Sequence, residues 1–351
     1  MKTLSHGEPA PGSSHGRVAC HPYQRFESES HLAKYNVILS APYMQPVVER
    51  FGPVLERAGC ALIIPNVHER LSEEELLPII GNADGIICGD DRLTRKVLQS
   101  ARRLRVISKW GTGIDSIDQV AARELGIKVC NTPNAFSQPV ADSVFAAMLH
   151  FARRTAEMDR EMKAGAWDKI PGKSLSECTL GVIGLGNVGK AVVQRAAGFG
   201  MTILGSDPVA PPADFLDRNT LRLISFGDLL SASDFVSINC DLNPTTHHLM
   251  NAGAFAQMKA SAILINTARG PIVDEVALVD ALRAQQLAGA ALDVFEVEPL
   301  PATSALRSMS NTLLSPHNSN SSPAAWERVH QNTIRNLLEN LQGVQQWKLA
   351  S

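Results

Sequence analysis

The sequence predicts an α/β protein of two doubly wound parallel-sheet domains facing each other across a cleft, and three observations carry that prediction. Short apolar runs alternate with helical patterns along most of the chain, as parallel strands covered by helices require. At 351 residues the chain is long for one core. Near its centre, Thr179 to Asp207 reads as strand, glycine turn, helix and second strand, which is the context a dinucleotide-binding fingerprint needs.

Residues 1–34 are rich in Gly, Pro, Ser and His without apolar periodicity, so a flexible tail is expected there. From Tyr35 the pattern changes. Strands are predicted at Val37–Leu39, Ala61–Ile64, Gly85–Cys88, Val106–Ser108 and Lys128–Cys130, with helices such as Gln45–Ala58 and Ser72–Ile80 between them. Ser72 and Glu75 form a capping box, which explains the acidic start of the second helix. This first part of a substrate-binding domain is expected to span residues 35–138. A break at Asn131–Gln138 precedes a long helix, Pro139–Arg154, taken as the crossing into a nucleotide-binding domain of residues 139–318. Its further strands are predicted at Phe235–Asn239, Ala262–Asn266, Ala290–Val294 and Thr312–Leu314, with a helix at Val273–Gln286. The last helical pattern, Pro323–Leu341, is expected to return the chain to the first domain as residues 319–345, making that domain discontinuous.

Composition excludes several classes. Hydrophobic residues at 44% and charged residues at 19% describe an ordinary globular protein. A formal net charge of -2 offers nothing to attract nucleic acid or an anionic membrane, and no apolar run approaches the length of a bilayer span. Six scattered cysteines show no CxxC spacing, so neither zinc nor a disulfide framework is expected; with no signal pattern, a cytoplasmic location is.

Each fingerprint residue has a physical task. Gly184 turns the chain out of the strand, Gly186 leaves room for a pyrophosphate, and Gly189 lets the helix lie close on the sheet. The free N–H groups around Asn187 and Val188, at the positive end of the helix, suit phosphate. Asp207 ends the next strand, where its carboxylate can accept hydrogen bonds from ribose hydroxyls and repel the additional phosphate of NADP. NAD is therefore the expected cofactor.

Three further clusters end predicted strands: Thr267-Ala268-Arg269-Gly270, Asp293 to Pro299, and Ser315-Pro316-His317. Carboxyl ends of parallel strands are where open sheets bind ligands. Arg269 suits a carboxylate, which guanidinium grips through two parallel hydrogen bonds. His317 suits proton exchange near neutral pH, and Glu298 suits the other ring nitrogen, favouring imidazolium. Taken singly, the arginine reads as an ion-pair residue, the histidine as a turn residue and the glutamate as a solvated acid. Their joint occurrence after one fingerprint points to hydride-transfer chemistry on a hydroxy acid.

These motifs, with KWGTGIDSID at Lys109–Asp118, INTARGPIVDE at Ile265–Glu275 and AALDVFEVEP at Ala290–Pro299, resemble the D-isomer-specific 2-hydroxyacid dehydrogenase family from about Val37 to Leu341. The resemblance implies a Rossmann NAD-binding domain and a flavodoxin-like substrate domain. It makes Arg269 the substrate-carboxylate binder, His317 the acid/base and Glu298 its partner. It gives Asp293 to the nicotinamide amide, Thr267 to the edge of that ring, and the Thr112-Gly113 amides to the substrate carboxylate. It implies a homodimer, built around Pro139–Arg154, acting on a small 2-hydroxy or 2-keto acid. Two departures stand out. Asn318 to Ser322 replace the usual apolar and small residues, either to touch nicotinamide or substrate or to cap the last helix. Asp90 and Asp91 stand where phosphoglycerate-type members often carry an arginine, and so oppose a phosphate. Cys240, Asp241, His247 and His248 receive no role, the two histidines being expected at the surface. The rival reading, a corepressor-like NAD(H)-responsive binding protein, keeps the same constellation.

Overall fold

The computed structural model describes residues 23–25 and 33–343, which form two sheets wrapped by helices. In the first unit the elements are β1 (Tyr23–Arg25), β2 (Tyr35–Leu39), α1 (Val48–Arg57), β3 (Cys60–Pro65), α2 (Glu73–Ile80), β4 (Gly85–Cys88), α3 (Arg95–Ser100), β5 (Val106–Lys109), α4 (Gln119–Glu124) and β6 (Lys128–Cys130). The sheet order is β1-β3-β2-β4-β5-β6, parallel except for β1, which runs antiparallel on β3. The five parallel strands thus follow the flavodoxin order, with a switch point between β2 and β4. Strand side chains alternate between the faces. Val37 and Leu39 join α1 in one core, while Ile38 joins α2, α3 and α4 in another.

The chain crosses over through α5 (Ser137–Arg153), followed by α6 (Thr155–Lys163). Val140 lies in the core of the first sheet, whereas Ala141, Val144, Phe145 and Met148 lie in the core of the second. The second unit contains β7 (Thr179–Ile183), α7 (Asn187–Gly198), β8 (Thr202–Ser206), α8 (Ala213–Arg218), β9 (Leu221–Leu223), α9 (Phe226–Ala232), β10 (Phe235–Ile238), α10 (Ala252–Phe255), β11 (Ile263–Asn266), α11 (Glu275–Arg283), β12 (Gly289–Leu292) and β13 (Thr312–Leu314). Its order, β13-β12-β11-β10-β7-β8-β9, is fully parallel and places the dinucleotide switch point between β7 and β10. Fully buried strands such as Gly289–Leu292 read as continuous apolar runs because helices cover both faces.

The last helix, α12 (Pro323–Gln342), returns to the first sheet. Leu337, Leu338 and Leu341 join Val37, Leu39 and Val106, and Ser108 Oγ donates to Thr333 O at 2.7 Å. Trp110 Nε1 donates to His330 Nδ1 at 2.9 Å in a buried aromatic group that includes Tyr43 and Trp326.

Two expectations need correction. Residues 23–25 are not a featureless part of the tail: they pair with Pro65, Ile64 and Ile63, a backbone pairing that requires no apolar pattern. The rest of the expected tail up to Leu32 lies outside the described residues, as does Cys20. The helix expected at Val273 starts at Glu275, because Asp274 caps it by accepting from Ala277 N at 2.9 Å and Val273 bridges to Met250. The capping box at Ser72 and Glu75 forms as expected.

Candidate active site

The fingerprint has the geometry that a dinucleotide requires. Gly184 has φ +86°, and a Cβ there would stand 2.5 Å from Cys240 N. A Cβ on Gly189 would meet Gly184 O at 2.0 Å, so only glycine allows helix α7 this close. Gly186, by contrast, faces open space, which is what a backbone approached by pyrophosphate needs. It is the N-cap of α7 and has no side-chain cap, so the amides of Asn187 and Val188 remain available to an anion. Asp207 follows β8 and braces the same turn: Oδ2 accepts from Leu185 N at 2.6 Å and Oδ1 from Val209 N at 2.7 Å. Its remaining lone pairs are free for ribose hydroxyls. Thr267, just past β11, has a buried Oγ1 without a partner, and so does Asn239 Oδ1 past β10. Orphaned groups beside the switch point fit a bound cofactor.

The three clusters after the fingerprint converge. His317 Nδ1 lies 3.1 Å from Glu298 Oε2, leaving Nε2 as the nitrogen available to a substrate. Glu298 Oε1 in turn accepts from Phe295 N at 3.0 Å. His317 sits in the left-handed region at φ 50°, an uncommon conformation held by its N–H donating to Asp293 O at 2.7 Å. Asp293 is 3% exposed and brackets the histidine loop. Its Oδ1 accepts from Ser315 Oγ at 2.5 Å and Asn318 N at 2.8 Å, and its Oδ2 from Ser319 N at 2.9 Å. The resemblance gave Asp293 to the nicotinamide amide; three of its acceptor sites are already spent on this loop, a task that lone sequence motifs do not reveal. The Asn318–Ser322 stretch also caps: Ser322 Oγ accepts from Ala325 N at 3.4 Å, and Asn320 Oδ1 from Trp326 Nε1 at 3.3 Å.

Arg269 reaches across to the first unit. Its Nε donates to Asp115 Oδ1 at 3.0 Å and its Nη1 to Ala268 O at 2.8 Å. The guanidinium lies over the Thr112-Gly113 turn so closely that a Cβ on Gly113 would stand 1.7 Å from Arg269 Nη2. Thr112 itself is exposed, with Oγ1 donating to Thr132 O at 2.9 Å. Sequence reasoning assigned no role to Asp115, although it lies in the KWGTGIDSID motif.

The electrostatics tie these groups together. Burial opposes charge on His317, but the hydrogen bond and charge of Glu298, with Asp90 behind them, prevail and raise its pKa above 6.5. Burial likewise opposes the Arg269 charge, and Asp115 and Asp90 overcome it. Burial would raise the Asp90 carboxyl, yet Lys109, Arg269 and His317 hold it well below the usual carboxylate range. Burial and the neighbouring carboxylates push the Tyr43 phenol up to about 12.

The acidic pair expected to oppose a phosphate divides. Asp91 is fully buried and turned inward, bonded to Ser40 Oγ and Leu71 N, so it meets no ligand. Asp90 pairs with the buried Lys109 at 3.0 Å, which offsets its charge. His248 is only partly exposed and pairs with Glu296 at 2.5 Å, while His247 is at the surface as expected. Among the described residues no cluster of three or more His, Cys, Asp or Glu could hold a metal, and no helix is long and apolar enough to cross a membrane.

Residues 145–319 match the family model described as D-isomer specific 2-hydroxyacid dehydrogenase, NAD binding domain. The chain is 38% identical over 320 residues to a glyoxylate reductase of Thermofilum pendens, covering 86% of this chain and 91% of that one. This chain belongs to the D-2-hydroxyacid dehydrogenase family. It is also 36% identical to a hydroxypyruvate reductase of Thermotoga maritima, covering 78% of this chain and 90% of the relative. A D-lactate dehydrogenase from Aquifex aeolicus, solved with NAD and lactic acid, superposes with a TM-score of 0.79 at 26% identity, covering 88% of this chain and 96% of that one. This dehydrogenase is accordingly an NAD-dependent oxidoreductase that interconverts a 2-hydroxy acid and its 2-keto acid, and nothing in these likenesses supports a corepressor.

Proposed function

We propose that this dehydrogenase reduces a small 2-keto acid to the D-2-hydroxy acid with NADH, using Arg269, His317 and Glu298. The observation that carries the reading is the His317–Glu298 pair at 3.1 Å, with Arg269 as an electrostatic neighbour of both. Gly184, Gly186, Gly189, Asn187, Val188, Asp207 and Thr267 would hold the cofactor, which when bound would supply the hydride for the keto carbon. The fourth acceptor site of Asp293 would be open to the nicotinamide amide.

The remaining steps belong to the chain. The free N–H groups of Arg269 and the Thr112-Gly113 amides hold the substrate carboxylate, and Asp115 fixes the plane of the guanidinium. His317 Nε2 donates its proton to the carbonyl oxygen as that oxygen gains charge, and regains one from solvent after product leaves. Glu298 stabilises the imidazolium before transfer. A raised histidine pKa favours the protonated ring, the form that the reduction step needs.

The reading extends to organisation. Residues 35–138 with 319–345 are the substrate-binding domain and 139–318 the nucleotide-binding domain. The assembly is a homodimer formed beside α5: helix α6 buries none of its residues, and Trp167 just beyond is 84% exposed. The location is cytoplasmic, in keeping with unpaired cysteines at 60, 88, 130, 178 and 240. The test is NADH oxidation with glyoxylate, hydroxypyruvate, pyruvate and 3-phosphohydroxypyruvate; failure to reduce any 2-keto acid with NADH or NADPH would refute the proposal.

A further inference from the structure

Two loops of the second unit must keep a fixed separation for the site to work: Arg269 to Val273, and Phe295 to Glu298, which carries the partner of His317. They touch through backbone. A Cβ on Gly270 would stand 1.9 Å from Phe295 C and 2.5 Å from Glu296 N, so the loops lie as close as glycine allows. Contact of this kind opposes closer approach but does little to stop the loops sliding or parting. His248, which lies between β10 and α10, is bonded to both. Its N–H donates to Pro271 O at 2.9 Å; Met250 N donates to Ile272 O at 3.0 Å, and Met250 O accepts from Asp274 N at 3.0 Å. This short pairing fixes the histidine to the chain that leaves Arg269.

The ring of His248 faces the other loop. Nε2 lies 2.5 Å from Glu296 Oε1, and since an ionised carboxylate can only accept, the ring nitrogen donates. Glu296 N donates in turn to Glu275 Oε2 at 2.6 Å, in the first turn of α11. Two residues on, Glu298 accepts from Phe295 N at 3.0 Å and meets His317 at 3.1 Å. His248 holds φ 50°, an uncommon conformation that persists where surrounding contacts enforce it, and it stacks on His247 with ring centroids 4.1 Å apart. Three acids crowd this corner: burial raises the Glu275 carboxyl above its ordinary value, and the charges of Glu296 and Glu298 add to the rise. A donor on Glu296 therefore relieves repulsion as well as joining the loops.

Resting on the reaction proposed above, we infer that His248 is a positioning residue: by tying the Arg269 loop to the Glu298 loop through Glu296, it sets the distance between the substrate-carboxylate grip and the proton on His317. It acts through these neighbours, not by touching substrate. The experiment measures kcat, KM, NADH affinity and Tm for the wild type, His248→Ala, His248→Gln, Glu296→Ala and the double variant His248→Ala/Glu296→Ala, with the 2-keto acid that the wild type reduces best. His248→Ala should lower kcat at least about tenfold while KM and NADH affinity stay within about threefold, because a misplaced proton donor costs rate more than binding. His248→Gln, whose amide nitrogen can also donate to Glu296, should bring kcat back to within about threefold of the wild type. Glu296→Ala should match His248→Ala, and the double variant should fall no further than either, since each removes the same tie. Glu296→Ala leaves the left-handed backbone at position 248 untouched and carries the same comparison if His248→Ala does not fold. A surface ion pair without this role would lower Tm and leave kcat in place. That result, equal losses in the alanine and glutamine variants, or additive losses in the double variant would overturn the inference while leaving the reaction intact. Absence of turnover with every 2-keto acid in the wild type would instead overturn the reaction, and this role with it.

Discussion

Replacing Glu298 with glutamine tests how the histidine is held in its working state. Glutamine keeps an oxygen for Phe295 N, which now donates at 3.0 Å, so the loop loses a charge with little change of shape. The charge lies 3.1 Å from His317 Nδ1, and the two side chains are only 22% and 15% exposed. An opposite charge at that range raises a histidine pKa by about 1–3 pH units. Partial solvent access, with the Asp90 charge still acting on the ring, leaves the histidine pKa lowered but not stripped of all support. The sign follows from the role: reduction needs imidazolium, so kcat/KM is level below the histidine pKa and declines as pH rises through it. In Glu298→Gln that decline should begin at lower pH, leaving roughly tenfold less activity at alkaline pH than the wild type retains. NADH absorbance across pH 5 to 10 reads both profiles. Superimposable profiles would refute the pairing argument.

Arg269→Lys should raise KM for the keto acid about a hundredfold and change kcat less, because an ammonium cannot offer two parallel bonds to a carboxylate; initial-rate kinetics separate the two. Gly113→Ala should reproduce that KM effect with NADH binding retained, since its methyl would occupy the position of Arg269 Nη2; titration of NADH fluorescence checks the second part. Asp207→Ala should shift the NADH to NADPH preference at least about tenfold towards NADPH, and an unchanged ratio would remove the ribose role.

Much of this architecture was legible because local pattern and fold agree. The strand at Leu180–Ile183, its three glycines and Asp207 specify a switch point without any tertiary information, and the continuous apolar run of Val37, Ile38 and Leu39 specifies a strand covered on both faces. What stayed hidden depends on contacts between distant segments. Strand β1 is fixed by backbone pairing to β3, which leaves no mark in side-chain periodicity. Asp91 read as a neighbour of Asp90 in the cleft, yet one residue of separation turns it into the core, where Ser40 and Leu71 claim it. Asp115 carries no signal of its own. Its importance arises only when Arg269 arrives from 154 positions further along the chain.

The central claim is that His317 supplies the proton while the rest of the site binds cofactor and substrate. Single-turnover reduction by NADH-saturated His317→Asn measures it most directly, with NADH affinity determined on the same sample. The account predicts a rate at least about a hundredfold below wild type with NADH affinity within about threefold. A wild-type rate in the variant would contradict it.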